Sequence, residues 1–233
     1  MNVKHIDIES AFDSFVKSIG GVILRDEIDK SPTFSNADYV LHDQKIVAEL
    51  KCLEVNKLDD PLYMGKINAA WQKWRKSGLV TEDTPEMIQL NKLPPQCVKE
   101  LVSITSRPLK RVIEKANRQI RETKEKLNLQ SYKGLLLLAN DGNFALPPNT
   151  LYQLLGGVLN NGFTSIDCFV LFSVNMIAQV PGVDIPCMVW MPSFRSEAES
   201  IPSDAMNLIQ SGWFAFYEKI TGQKYKRFGD IEN

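Results

Sequence analysis

The stretch ADYVLHDQKIVAELKCL, residues 37–53, sets the reading of the whole chain. Asp43–Gln44 forms a short polar break between two apolar runs, which predicts a hairpin of strands over Asp38–His42 and Lys45–Leu53. Successive strand residues point to opposite faces. Ile46, Ala48, Leu50 and Cys52 therefore share one face, and Val47, Glu49, Lys51 and Leu53 the other. Glu49 and Lys51 lie side by side between apolar neighbours, on a segment with core character. Unpaired buried charge is costly, so this arrangement needs a partner or a purpose.

At 233 residues the chain has room for one large domain over 1–233, with residues 54–106 expected as an insertion within it. A hydrophobic content of 44% with 24% charged residues is that of a soluble globular protein. The N-terminus, MNVKHIDIESAF, carries charge where a secretion signal needs an apolar run. The longest apolar run, Gly134–Ala139, is far short of the roughly 20 residues that span a bilayer. The expectation is a cytoplasmic protein with no membrane partner.

Cys52, Cys97, Cys168 and Cys187 lie far apart with no CxxC pair, which argues against a zinc site built on cysteine pairs. They read as small core residues. Only two histidines occur, His5 and His42, and no G-x-S-x-G elbow accompanies them. Chemistry in this chain is expected from carboxylates and lysine.

The net charge of −1 hides a segregated distribution. Residues 61–80 hold four basic residues and no acid, 107–126 hold eight basic and three acidic, and 219–227 hold four basic and no acid. Such blocks permit a basic face on a nearly neutral protein. Solvated helix faces are charge-rich as well.

Around the hairpin, Ile8, Phe12, Phe15, Val16 and Ile19 have helical spacing over Ile6–Ile19, and Gly20–Gly21 stops the helix. Val22–Leu24 is a short strand. Pro61–Ser77 is helical, and a proline-punctuated stretch with Pro85, Pro94 and Pro95 follows. Pro108 is placed to open a helix running to Leu127. Tyr132–Asn140 (YKGLLLLAN) is the clearest buried strand. Thr150–Leu159 is a helix, Ser165–Val174 and Pro186–Met191 are strands, and Ser203–Ile220 is a final amphipathic helix. This order predicts an α/β fold with a central mixed β-sheet flanked by helices on both faces.

On such a hairpin Asp38 and Glu49 come to one edge of the sheet. Two carboxylates with waters suit Mg²⁺, with Mn²⁺ as a substitute, and a lysine beside the ion can serve a water or a phosphate. Asp38, ten residues, then Glu49-Leu50-Lys51 resembles the active-site signature of the PD-(D/E)xK nuclease superfamily. The resemblance extends to the leading helix, the three-strand meander and the helix–strand pair, over roughly residues 6–140. The proline that often precedes the aspartate is Ala37 here.

The resemblance implies a restriction-endonuclease-like core with an inserted helical region. Asp38 and Glu49 would then be metal ligands, the carbonyl of Leu50 a further ligand, and Lys51 the group serving the water or scissile phosphate. Members often carry a glutamate on the first helix, where Glu9 stands. Glu9 reads equally well as a first-turn acid favoured by the helix dipole.

On the helix after the insertion, Leu109, Val112, Ile113, Ala116, Ile120 and Leu127 form one apolar stripe. Gln119 falls at its edge with Lys115 just outside, while Arg118 points away from the core. The resemblance implies a glutamine or lysine from this helix in the site, with Gln119 first and Lys115 second. Arg111, Arg118 and Arg121 read as solvent-facing or phosphate-contacting. Trp71 and Trp74, beside Ile67 and Ala70, have the spacing of a buried stripe, and Lys73, Arg75 and Lys76 remain for nucleic-acid backbone contact. Trp213, Phe214, Phe216 and Tyr217 read as core or as a dimer interface.

The function expected from this pattern is a Mg²⁺-dependent endonuclease acting on nucleic acid, with DNA as the substrate, in restriction, repair or phage defence. Double-strand cleavage implies a homodimer. The alternatives are a catalytically inactive module of the same fold that binds nucleic acid or protein, and a hydrolase of small phosphorylated substrates. Intact Asp38, Glu49 and Lys51 weigh against the first, and the dispersed basic segments against the second.

Overall fold

The structure is a computed structural model and describes residues 5–28, 34–54, 59–81, 92–142, 146, 148–159, 162–176, 188–195 and 201–224. The elements run α1 (Ile8–Ser18), β1 (Val22–Ile23), α2 (Leu24–Glu27), β2 (Tyr39–Leu41), β3 (Ile46–Leu53), α3 (Pro61–Lys76) and α4 (Pro95–Lys126). They continue with β4 (Lys133–Asp141), α5 (Pro148–Leu159), β5 (Cys168–Val174), β6 (Trp190–Phe194) and α6 (Ser203–Thr221).

The strands form one mixed sheet in sequence order, β1 to β6. β1, β2 and β3 are antiparallel neighbours, β3, β4 and β5 are parallel, and β5–β6 is antiparallel. The parallel centre reads as unbroken apolar sequence because both faces are covered. Leu135 and Leu137 point into a core shared with α1 and α6, while Leu136 and Leu138 join the core under α4 and α5. The aromatic residues of α1 and α6 meet over the first face, with Phe12 and Trp213 ring centroids 4.7 Å apart. Trp213, Phe214 and Tyr217 are thus core residues, and Phe216 packs against them.

At Gly134 β4 passes close to another segment: a Cβ there would lie 1.9 Å from the Ser165 carbonyl oxygen. The same crossing is tied by Asp167, whose N–H donates to the Gly134 carbonyl at 2.8 Å and whose side chain accepts the Gly134 N–H at 2.7 Å. Residues 165–167 make this crossing instead of sheet, so β5 begins at Cys168, later than the expected Ser165.

Pro108 does not open a helix. It lies inside α4, which begins at Pro95, where a missing N–H costs nothing in the first turn. The helix is carried through Pro108 because packing continues on either side of it. Leu101 and Ile104 lie against α3, and Leu109 and Ile113 lie against the sheet. α3 and the first turns of α4 thereby form a helical hairpin with its own small core of Trp71, Trp74, Leu93 and Cys97. β6 is also displaced from the expected strand, starting at Trp190. Residues 186 and 187 of that expectation, with Cys187, lie outside the described residues. Pro192 is tolerated within β6 because the strand is at the sheet edge. No helix among the described residues is long and apolar enough to cross a membrane.

Candidate active site

The hairpin places the acidic pair. In the β2–β3 ladder Tyr39 faces Ala48 and Val40 faces Val47. One step beyond Tyr39, the same register sets Asp38 across from Glu49. The backbone of Asp38 is held from the other side by the Leu24 N–H, which donates to its carbonyl at 2.9 Å. Its carboxylate closes the ladder, accepting the Leu50 N–H at 2.8 Å. Leu50 thus meets the acidic pair through its amide, and its side chain packs toward α1 and α6.

Glu49 is 0% exposed, on the face that carries Val47 and Leu53 toward α4. Its Oε1 accepts a hydrogen bond from the Lys51 ammonium. Oε2 is buried and has no hydrogen-bond partner among the described residues. An unpaired buried carboxylate oxygen is an unusual liability in a folded protein.

The electrostatics follow from burial. Desolvation raises the Asp38 carboxyl above its ordinary range, against the lowering effect of the Leu50 N–H and the Lys51 charge. Glu49 is pushed up to about 8, first by burial and then by the charge of Asp38, with Lys51 and, less, the Asp38 backbone N–H offsetting only part. Near neutral pH the pair therefore retains a proton that a bound cation would displace. Two facing carboxylates, one with a free buried oxygen, fit a hard oxygen-seeking ion such as Mg²⁺, which binds one or two carboxylates and keeps waters or phosphate oxygens elsewhere. Among the described residues no three His, Cys, Asp or Glu side chains come together as a metal-binding group.

Glu9 is exposed in the first turn of α1, whose N-cap Asp7 accepts the Ser10 N–H at 2.8 Å. It lines an open cavity of about 600 Å³ with Asp7, Glu54 and Asp141, at the C-terminal ends of β3 and β4. Its charge is felt at Asp38, where it raises the carboxyl, but Glu9 does not form one ligating group with Asp38 and Glu49. The far wall is Asn175, which bonds both main-chain polar groups of Ile6 at 2.9 Å and donates to Asp141 at 3.1 Å.

Gln119 lies where the stripe places it, but its amide is engaged with main chain. Nε2 donates to the Asn36 carbonyl at 2.9 Å, while Oε1 is buried without a hydrogen-bond partner among the described residues. Two neighbours escape sequence analysis. Glu122 accepts the Ser35 N–H at 2.8 Å, and the Thr123 hydroxyl accepts the Ala37 N–H at 2.7 Å. α4 therefore grips the three residues that lead into Asp38. Thr123 is fully buried within the apolar stripe, and a hydroxyl in that stripe is the one trace of this contact in the sequence.

The basic candidates divide. Arg111 and Lys115 are exposed on α4, and Lys76 is exposed at the end of α3. Lys73 is tied to both carboxylate oxygens of Glu100 at 3.0 Å, and Glu100 also accepts the Trp74 indole N–H at 2.9 Å. Arg75 is half-buried beside them. Trp71 and Trp74 are buried, 5.4 Å apart between ring centroids, and so are not available for base stacking.

No protein-family model, curated protein or solved structure matches the chain.

Proposed function

We propose that this chain is a divalent-metal-dependent nuclease of the PD-(D/E)xK type, with a restriction-endonuclease-like core, hydrolysing phosphodiester bonds in DNA. The observation that carries the reading is the carboxylate of Glu49. It is fully buried, bonded to Lys51 through one oxygen, unpartnered at the other, and aligned across the ladder with Asp38.

Asp38 and Glu49 would hold the ion, Mg²⁺ or Mn²⁺, with the Leu50 carbonyl as a third oxygen. When bound, such an ion supplies Lewis-acid stabilisation for the negative charge that develops on the phosphate. Lys51, whose side chain is only 19% exposed, keeps its ammonium at Glu49, where it can orient a water or stabilise a phosphate oxygen. Asp38 is preorganised by the Leu50 amide on one side. On the other side it is preorganised by the α4 contacts to residues 35–37. Gln119 acts in this scheme as a positioning residue, through the main chain of Asn36. Cutting both strands of a duplex would require two such sites, hence a homodimer.

The test is nicking of supercoiled plasmid by the full chain with Mg²⁺ or Mn²⁺, beside Glu49→Gln and Lys51→Ala. Metal-dependent nicking that falls at least about a hundredfold in both variants supports the reading. Equal nicking by all three proteins, or none by the wild type with either metal on plasmid and single-stranded substrates, overturns it.

A further inference from the structure

The cations of α4 are sorted by whether an acid answers them. Lys110 lies 3.8 Å from Glu114, and Arg121 lies 3.9 Å from Glu125 and 4.0 Å from Glu122. Glu122 also holds the Ser35 amide. Every acid on the outer face of this stretch is thus engaged. Arg107, Arg111, Lys115 and Arg118 are all exposed and have no ion pair among the described residues.

The sorting follows the helix geometry. At about 100° per residue, with Arg107 at zero, Arg118, Arg111 and Lys115 fall near 20°, 40° and 80°. Glu122, Gln119 and Thr123, which hold residues 35–37, fall between about 60° and 160° on the same scale, so that flank faces the approach to Asp38. Lys110 and Arg121 fall on the opposite flank, near −60° and −40°. On that side Lys110 shares a groove with Gln153 and Leu154 of α5, and Arg107 lines the same groove. Arg111, Lys115 and Arg118 therefore lie outward and on the flank toward the carboxylate pair, while Arg107, at the head of the line, lies outward beside the α5 groove that Lys110 also lines.

We propose that Arg107, Arg111, Lys115 and Arg118 form a track for the phosphate backbone of duplex DNA as it enters the Asp38–Glu49 site. The choice of DNA rests on the nuclease reading; the placement of the track rests on α4 alone. From Arg107 to Arg118 the helix rises about 16 Å, comparable with the axial rise of about five base pairs. A continuous line of exposed cations over that length has the charge complementarity of a phosphate backbone. Lys73, sequestered by Glu100, has no place in the track.

The test is binding of the full chain to a labelled duplex in EDTA, where no cutting interferes, between about 50 and 200 mM salt. Each phosphate contact contributes about 0.9 to the slope of log affinity against log salt. Arg111→Ala, Lys115→Ala and Arg118→Ala should each flatten the slope by about that amount, Arg111→Lys should keep it, and Lys110→Ala and Arg121→Ala should leave it unchanged. Thermal melting of each variant separates loss of contact from loss of fold. The track is overturned if folded track variants keep the wild-type slope, if the two controls lose as much, or if the wild type fails to bind at the lowest salt. Track-dependent binding with no metal-dependent cutting overturns the nuclease reading and leaves the track standing.

Discussion

Asp38 stands opposite Glu49 at the end of the β2–β3 ladder, and its carboxylate takes the Leu50 amide at 2.8 Å. The bond fixes Asp38 by main chain alone and leaves Glu49 with one oxygen on Lys51 and one unpartnered. The properties of the site follow from this division.

Without metal, Glu49 should make the fold sensitive to alkali. Its carboxyl titrates near 4.5 unfolded and at about 8 folded, so between those values the native state holds a proton that the unfolded chain has lost. Stability from this group therefore falls as pH rises from about 4.5 through about 8, and levels off above. Thermal melting in EDTA at about pH 6 and about pH 9 should show a larger drop in Tm for the wild type than for Glu49→Gln. Parallel drops would refute the assignment.

Metal binding should release a proton. Because Glu49 is protonated near neutral pH, Mg²⁺ or Mn²⁺ must displace about one proton to use it. Calorimetry in buffers of different ionisation enthalpy should show that release at pH 7, fading above about 8. Chelation should lower Tm, and the metal-dependent rise in Tm should vanish in Asp38→Asn and Glu49→Gln. Binding unaffected by either substitution places the ion elsewhere.

Thr123 should matter to activity although it is far from the carboxylates in sequence. Thr123→Val removes the acceptor of the Ala37 N–H and leaves a buried donor unpaired, at about 1–3 kcal/mol. Thr123→Ser keeps the bond and should keep nicking. If Asp38 is positioned through this contact, Thr123→Val reduces the rate of nicking at saturating metal and substrate in protein that is still folded. A fully active Thr123→Val would show that the grip on residues 35–37 is structural only.

Gly134→Ala should be among the most damaging single-methyl additions in the chain. The new Cβ meets the Ser165 carbonyl at 1.9 Å, and backbone cannot swing away as a side chain does. A loss of about 3 kcal/mol or more in urea unfolding is expected. A near-neutral result would mean that the β4–165 crossing is looser than drawn.

The centre of the fold was legible because its signals are local. Alternation in Ile46–Leu53 put Glu49 on the face of Val47 and Leu53, which the structure turns toward α4, and the Leu135–Leu138 run announced a buried strand. Spacing marked the tryptophans of α3 as a buried stripe, and of the two readings open for the aromatic residues of α6, core or dimer interface, Trp213, Phe214 and Tyr217 take the core. What escaped depends on segments far apart in the chain. Pro108 reads as a helix start until one sees that Leu101 and Leu109 pack on either side of it. Glu122 gave no warning, and Thr123 only that of a hydroxyl within an apolar stripe, because their partners are main-chain amides some 86 or 87 residues away. Gln119 was placed at the correct edge, but nothing in a periodic stripe indicates that its amide goes to Asn36.

The 32 residues of α4 join two duties that a loop would keep separate. One end is packed into the α3 hairpin, and the other grips the approach to Asp38. At about 1.5 Å per residue this is a stiff rod of roughly 48 Å. Pro108 lies between the two ends, with one rung of the hydrogen-bond ladder missing, so it is the point at which the rod can bend. The helix that packs the hairpin core is the same helix that holds the chain leading into the aspartate.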